Sequence, residues 1–136
     1  MIVYYGVAHP DLCDVMGHMT TRHYIAMFDD ASYHFLYRVF GWTGSDANTE
    51  GLGWADVKHV IEYHGEVAAG DLLEVSAKLE KLGTKSLTVT YQMHNLGKQE
   101  LAATLASTSV YFDIKTRKAV ALTNSMKDAA LPYCSE

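Results

Sequence analysis

The sequence predicts an α+β fold in which an antiparallel sheet is wrapped around one long helix. Two observations support this prediction. Only residues 21–40 repeat apolar side chains at helical spacing, and four or five later segments alternate apolar with polar residues, as strands do. Because a single apolar helix needs an apolar surface to cover it, the later strands are expected to supply that surface.

The elements before the sheet are predicted from local signals. Residues 2–8 are rich in β-forming side chains and predict a first strand, which Pro10 ends because proline donates no backbone hydrogen bond. The helix is predicted from Thr21 to Phe40, with Thr20 or Thr21 as N-cap and Gly41 as its stop. Its inner stripe consists of Tyr24, Phe28, Ala31, Phe35 and Val39.

The rest of the chain is predicted to be strands separated by turns. Residues 43–53 are expected to form a loop because of their composition. Turns are predicted at 69–71 and 95–98, and a helical turn near the C-terminus. The predicted strands are residues 57–67, 73–80, 87–94, 101–114 and 118–122.

Composition limits the classes of function. The 136 residues suit one domain, 1–136, and the net charge of -5 argues against nucleic acid as the main partner. The apolar stretches are shorter than a membrane span, and the N-terminus lacks the features of a signal peptide, so a cytoplasmic protein is expected. Cys13 and Cys134 are expected to be reduced thiols.

The segment between the first strand and the helix has the residues for chemistry. Asp14 precedes Gly17 by three residues, and the helix start follows closely. The first N–H groups of a helix are unpaired and carry partial positive charge, so they can stabilise the oxyanion formed from a thioester carbonyl. Gly17 leaves room for the substrate, and Asp14 can attack the carbonyl or activate water.

This segment resembles the signature of the 4-hydroxybenzoyl-CoA thioesterase family of hotdog proteins. The resemblance lies in Leu12-Cys13-Asp14-Val15-Met16-Gly17-His18 with Tyr24 on the helix, and it continues weakly along the chain. It implies a hotdog fold and a thioesterase acting on an acyl-coenzyme A. It also implies homodimers or homotetramers with active sites at the subunit interfaces, and no cofactor apart from the coenzyme A of the substrate.

The resemblance also implies roles for individual residues. Asp14 takes the position of the catalytic carboxylate, and the N–H near Thr21 takes that of the oxyanion hole. His18 follows Gly17 in the motif, where it can assist the acid–base step or serve the structure. The phosphates of coenzyme A are expected to be bound by Lys85, together with Arg117 or Lys118.

Two departures from the family signature, and several alternatives, bear on these expectations. The family run begins with an Asp two residues before the catalytic one, where this chain has Leu12, and the Asn-Asn pair that commonly follows its Gly-His is Thr20-Thr21 here. The second departure bears on how the helix start is capped and on which acyl group fits. An acyl-thioester dehydratase pairing His18 with Asp14, and a non-catalytic acyl-thioester binding protein, are the alternatives. The carrier, coenzyme A or acyl carrier protein, stays open, as does the choice between nucleophile and general base.

Other side chains have simpler explanations than chemistry. Asp14 can cap a turn, as many loop aspartates do. None of the seven histidines forms a His-x-x-x-His pair, so no metal site is expected. Trp42 and Trp54 flank the predicted loop, where they can line an acyl pocket or cover the core.

Overall fold

In the computed structural model, which describes residues 1–134, an antiparallel sheet packs against one long helix. The helices are α1 (Thr21–Phe40), α2 (Gly44–Glu50) and α3 (Asn124–Ala130). The strands are β1 (Ile2–Val7), β2 (Leu52–Tyr63), β3 (Leu72–Leu82), β4 (Ser86–Asn95), β5 (Glu100–Asp113) and β6 (Lys118–Ala119). The order of the sheet is β1-β3-β4-β5-β2, with β6 paired to the end of β5.

The core lies between α1 and the concave face of the sheet. Phe28 and Phe35 are 0% and 1% exposed, and both rings lie near the ring of Tyr91 on β4. Burying side chains of this size contributes about 1.5–3 kcal/mol each. Gly41 ends α1 in the left-handed conformation with φ 68°, which glycine adopts without strain. The predicted helix is therefore confirmed at both ends.

The prediction that residues 43–53 form a loop is wrong. The segment contains α2, whose N-terminus has a capping box in which Thr43 and Asp46 satisfy each other's backbone N–H groups. Gly51 then ends the helix with φ 71°, and β2 begins at Leu52. The bounds predicted for β2, 57–67, are therefore wrong at both ends.

The other strands agree with their predictions to within about two residues, except at the C-terminal end. β6 has two residues instead of five, whereas the predicted helical turn is the seven-residue helix α3 followed by a short 3-10 turn. The Thr123 side chain starts α3 by accepting a hydrogen bond from the Met126 N–H at 3.1 Å. A single N-cap residue of this kind is easily overlooked in a sequence.

The two edges of the sheet differ. At β1, the α1 side chain of Arg38 donates to the Ile2 carbonyl, and the Tyr4 hydroxyl donates to Asp30 of α1 at 3.3 Å. At β2, the side away from β5 has no neighbouring strand among residues 1–134. The β2 side chains Val57, Val60 and Tyr63 are 59%, 47% and 46% exposed. Residues 56–63 of this strand are mostly exposed, and an exposed strand edge that carries apolar side chains is a surface able to pair with another strand.

Candidate active site

Asp14 begins a tight turn between β1 and α1. Its N–H donates to the His18 carbonyl at 2.8 Å, and its carbonyl accepts from the Gly17 N–H at 3.0 Å. Cys13 and Met19 form a β-bridge at the base of the turn. Gly17 has φ 81°, a conformation that other residues adopt only with strain, so the turn itself requires this glycine.

The Asp14 carboxylate is exposed, and only one of its oxygen atoms accepts hydrogen bonds from residues 1–134. Oδ1 accepts from the Met16 N–H at 2.8 Å and from the His18 N–H at 3.2 Å. Within residues 1–134, Oδ2 has no hydrogen-bond donor. The side chain therefore caps its turn and still presents a free oxygen atom to solvent.

The start of α1 lies directly after this turn and offers free N–H groups. Thr20 is the N-cap, its N–H donates to the Leu12 carbonyl at 2.9 Å, and its side chain does not cap the helix. Among residues 1–134, the N–H groups of Thr21 and Arg22 have no acceptor, whereas that of His23 donates to Thr20. Two N–H groups with the partial positive charge of the helix terminus are thus available to an oxyanion.

His18 is positioned by its backbone and by a carboxylate other than Asp14. It forms a β-bridge with Ala68, and its ring Nε2 lies 3.4 Å from Glu66 Oε2. The neighbouring Met19 N–H donates to the Val67 carbonyl at 2.7 Å. These contacts attach the Asp14 turn to the segment that follows β2. The His18 ring contacts the Glu66 carboxylate, and among residues 1–134 it makes no hydrogen bond or ion pair with the Asp14 carboxylate.

Lys85, Arg117 and Lys118 do not lie beside Asp14 in the same chain. The Lys85 carbonyl accepts from the Tyr111 N–H, and Lys118 pairs with Asp113. Asp113 also faces Leu52, at the opposite end of β2 from the segment bridged to His18. At about 3.3 Å per residue, the two ends of β2 are roughly 35 Å apart.

These three cations nevertheless lie at one end of the sheet. Arg117 has φ 61° in the turn before β6, and its guanidinium lies 5.2 Å from the Phe112 ring centre. Lys115 belongs to the same turn, where its N–H donates to the Asp113 carboxylate at 2.9 Å. The sequence prediction did not include Lys115. Its position two residues before Arg117 and three before Lys118 could have indicated that it belongs with these cations. The residues at 115–118 with Lys85 are called the basic end.

Aromatic residues occupy both ends of α1. Near its start, the buried Tyr24 ring meets Tyr63 edge-on at 5.1 Å, and burial raises the pKa of both phenols. Near its end, Trp54 stacks on Phe40 at 5.4 Å and Trp42 donates to the Leu52 carbonyl at 3.1 Å. Of the two possibilities for the tryptophans, these contacts favour a cover over the core in the single chain.

Two acidic residues lie between α1 and the middle of β2. The sequence prediction did not include them. Asp29 of α1 and Asp56 of β2 line one small cavity of about 60 Å³. His59 Nε2 lies 3.4 Å from Asp56 Oδ2. A β-bulge between Asp56 and Lys58 places Asp56 and His59 on the same face, which alternation in the sequence does not reveal.

Among residues 1–134, no group of three or more His, Cys, Asp or Glu side chains is arranged to hold a metal ion. None of the helices in this part of the chain combines the length and apolar character that a membrane span requires. Cys13 and Cys134 are both free.

Comparison with known proteins identifies relatives of this fold. A family model described as the thioesterase-like superfamily matches residues 7–130. No curated protein sequence matches the chain significantly. A hypothetical protein from Staphylococcus aureus, solved in complex with CoA, is 18% identical with a TM-score of 0.89, over 98% of this chain and 84% of its own.

Two named enzymes are also similar in structure. A 1,4-dihydroxy-2-naphthoyl-CoA thioesterase from Synechocystis is 16% identical with a TM-score of 0.82, covering 94% of this chain and 93% of that one. A DHNA-CoA thioesterase from Staphylococcus aureus is 19% identical with a TM-score of 0.84, covering 95% and 87%. At these identities the likeness shows a shared fold, and the predicted hotdog architecture is confirmed.

Proposed function

The chain belongs to the thioesterase-like superfamily, as its sequence predicts, and from this premise we propose that it hydrolyses an acyl-coenzyme A with Asp14 as the catalytic carboxylate. Membership gives the family and its fold, whereas the reaction, the substrate and the roles of the residues are the proposal. One observation carries it: the free Asp14 oxygen belongs to a turn immediately before two unpaired N–H groups of α1.

The proposed reaction uses both features. The thioester carbonyl oxygen accepts hydrogen bonds from the Thr21 and Arg22 N–H groups, which stabilise the negative charge that develops there. Asp14 takes a proton from water while the water oxygen bonds to the carbonyl carbon. The carbon–sulfur bond then breaks, and coenzyme A leaves as a thiolate. In the nucleophilic variant, Asp14 attacks the carbonyl carbon, the carbon–sulfur bond breaks and coenzyme A leaves as a thiolate. Water then cleaves the resulting anhydride, which releases the acid and restores Asp14.

Gly17 and His18 support this chemistry without taking part in bond making. Gly17 forms the turn and has no side chain to obstruct the approach of the thioester. The His18 N–H holds Asp14 Oδ1, so the other oxygen points away from the turn. Among residues 1–134 the His18 ring contacts Glu66 and makes no hydrogen bond or ion pair with the Asp14 carboxylate, so the His18–Asp14 pair of the dehydratase alternative is not formed, and we favour hydrolysis.

We propose further that two copies pair through β2, because this edge is the uncovered one. A two-fold axis normal to the sheet keeps both helices on the concave side. It also places even-numbered residues of one copy opposite even-numbered residues of the other, and odd-numbered opposite odd-numbered. With the axis at Val60, Lys58 of each copy faces Glu62 of the other, an arrangement of opposite charges on the convex face. Val60 then packs on its own counterpart.

This pairing would also complete the site. It places the Leu52 end of one copy beside the segment after Tyr63 of the other, which is bridged to the Asp14 turn through Ala68 and His18. The basic end of one subunit would thus lie near Asp14 of its partner, where Lys85, Arg117 and Lys118 can bind the phosphates of coenzyme A. A homotetramer would be a pair of such dimers.

The test is thiol release from a panel of short-chain, aromatic and long-chain acyl-coenzyme A esters. In Asp14→Asn the amide oxygen can still accept from Met16 and His18, so the turn is kept while the reactive carboxylate is lost. We expect kcat to fall by a factor of about 100 or more. Asp11→Asn removes the same charge three residues earlier and should leave kcat nearly unchanged.

Two results would contradict the proposal. Full turnover by Asp14→Asn would remove Asp14 from catalysis. Binding of the esters without turnover by the wild-type chain would favour the non-catalytic binding protein.

A further inference from the structure

Tyr63 lies close to the proposed site but has no part in the proposed reaction. Its ring meets the buried ring of Tyr24 edge-on at 5.1 Å, which places it on the concave face of the sheet, beside the first turn of α1. Tyr63 is 46% exposed, whereas Tyr24 is 6% exposed. Its neighbour on β5, Ala103, is too small to cover the ring. An aromatic surface is therefore open next to the N–H groups at the start of α1.

The proposed dimer fixes the direction in which an acyl group extends from these N–H groups. The coenzyme A portion leads outward, to the basic end of the other copy beyond its Leu52. The acyl portion, on the other side of the carbonyl carbon, therefore points inward, toward the two-fold axis at Val60. Tyr24 lies about 4.5 Å further along α1 than Thr21 in this inward direction, and the Tyr63 ring contacts it. A long acyl group would therefore meet the exposed ring of Tyr63.

Side chains of the other copy would complete this part of the pocket. Tyr63 and Val57 are each three residues from the axis, so Tyr63 of one copy faces Val57 of the other. Val57 is 59% exposed in the single chain, so its apolar side chain is available. His59 of the other copy lies on the diagonal, about 7–8 Å away, which is within reach of an aromatic ring. The inner end of the pocket is thus built from both copies, with Tyr63 as its largest side chain.

We propose that Tyr63 determines which acyl groups the site accepts, because its ring forms the wall at which the acyl pocket ends. The inference rests on the proposed function and on the proposed dimer. A short acyl group stops before the ring and does not depend on its size. A long one needs the space that the ring occupies, and each methylene group that finds such space gains a factor of roughly four from leaving water.

The test is thiol release from straight-chain acyl-coenzyme A esters between acetyl and decanoyl. The quantity compared is the selectivity ratio, which is kcat/KM for decanoyl divided by kcat/KM for acetyl. Tyr63→Ala removes the wall and should raise this ratio about tenfold, as expected for roughly two more buried methylene groups. Tyr63→Trp enlarges the wall and should lower the ratio. Tyr63→Phe keeps the ring and should keep the wild-type ratio.

The matched control is Tyr5→Ala, which removes an exposed tyrosine from β1, at the opposite edge of the sheet. We expect it to leave the selectivity ratio unchanged. A loss of folded protein lowers the turnover of every ester by the same factor, so it does not change the ratio. Opposite shifts with Tyr63→Ala and Tyr63→Trp therefore report on the pocket and not on stability.

Three results would overturn the inference. If Tyr63→Ala and Tyr63→Trp both keep the wild-type ratio, the ring does not bound the acyl pocket, and the role of Asp14 is unaffected. If Tyr5→Ala changes the ratio as much as Tyr63→Ala does, the effect is not specific to the pocket. If the wild-type chain cleaves none of the esters, the proposed function fails, and the inference fails with it.

Discussion

The two oxygen atoms of the Asp14 carboxylate have different environments. Oδ1 holds the turn through the Met16 and His18 N–H groups, and Oδ2 has no donor in the described part of the chain, residues 1–134. A sequence offers turn capping and catalysis as competing explanations for such a residue, but in this geometry one side chain can do both. The capping bonds fix the direction of the carboxylate, which is what a catalytic group needs.

Asn95 supports the Asp14 turn indirectly, through a chain of hydrogen bonds that ends at His18. It is fully buried, its side-chain amide donates to Asp71 Oδ2 at 2.8 Å, and its carbonyl oxygen accepts from the Lys98 N–H. The same Asp71 oxygen accepts from Ala68, which is bridged to His18. We expect Asn95→Ala to lower the free energy of unfolding by about 1–3 kcal/mol, because Asp71 loses a buried partner.

Denaturant unfolding measures this loss, and Gln92→Ala on the exposed side of the same strand is the control. If the two variants unfold at the same denaturant concentration, the Asn95–Asp71 hydrogen bond does not support the fold. A loss of kcat beyond that of the control would show that the support reaches the Asp14 turn.

At the scale of elements, the sequence predicts those whose signals are local and repeated. α1 has an apolar stripe over five turns and a glycine at its end, so both of its bounds are predictable. α2 is short and polar and escapes a search for periodicity, although Thr43 and Asp46 stand at capping-box spacing. In β2 the bulge shifts the alternation, so Asp56 and His59 share a face that their spacing does not predict.

The proposed register of β2 leads to a prediction about charge. If Lys58 faces Glu62 across the two-fold axis, Lys58→Glu places like charges opposite each other twice in the dimer. We expect its dissociation constant to rise about tenfold or more, because two cross-strand pairs of up to about 1 kcal/mol each are replaced by repulsions. Restoring the complementarity with Lys58→Glu/Glu62→Lys should return it to near the wild-type value.

Sedimentation equilibrium measures both variants, and Lys78→Glu on the inner strand β3 supplies the matched charge reversal away from the edge. If Lys58→Glu and Lys78→Glu raise the dissociation constant equally, net charge alone weakens the dimer. If Lys58→Glu/Glu62→Lys has the same dissociation constant as Lys58→Glu, this register is excluded.

At the scale of the whole molecule, the sequence predicts the components of the site but not how they come together. Asp14, Thr21 and Gly17 lie in one continuous segment, so their proximity is evident from the sequence. The basic end is distant from them in the chain, and it is also distant in the folded subunit because it lies at the other end of β2. Only the sheet order, with β2 at an edge, shows how a second copy could unite them.

A site shared between subunits predicts that two defective variants restore activity when mixed. Arg117→Ala/Lys118→Ala should raise KM for an acyl-coenzyme A about tenfold with little change in kcat, because charge-assisted contacts to phosphate are lost. Asp14→Asn removes the reactive carboxylate instead. In a mixed dimer, one site carries both defects, and the other combines an intact Asp14 with an intact basic end.

Random exchange of equal amounts gives about half mixed dimers, so about a quarter of all sites would be intact. Thiol release at substrate concentrations well below the KM of Arg117→Ala/Lys118→Ala should therefore recover toward a quarter of the wild-type rate after the two variants are unfolded and refolded together. Mixing without refolding is the control for exchange. If the co-refolded sample only matches the average of the two variants, Asp14 and the basic end do not meet across the interface, because a site built within one chain gains nothing from a partner.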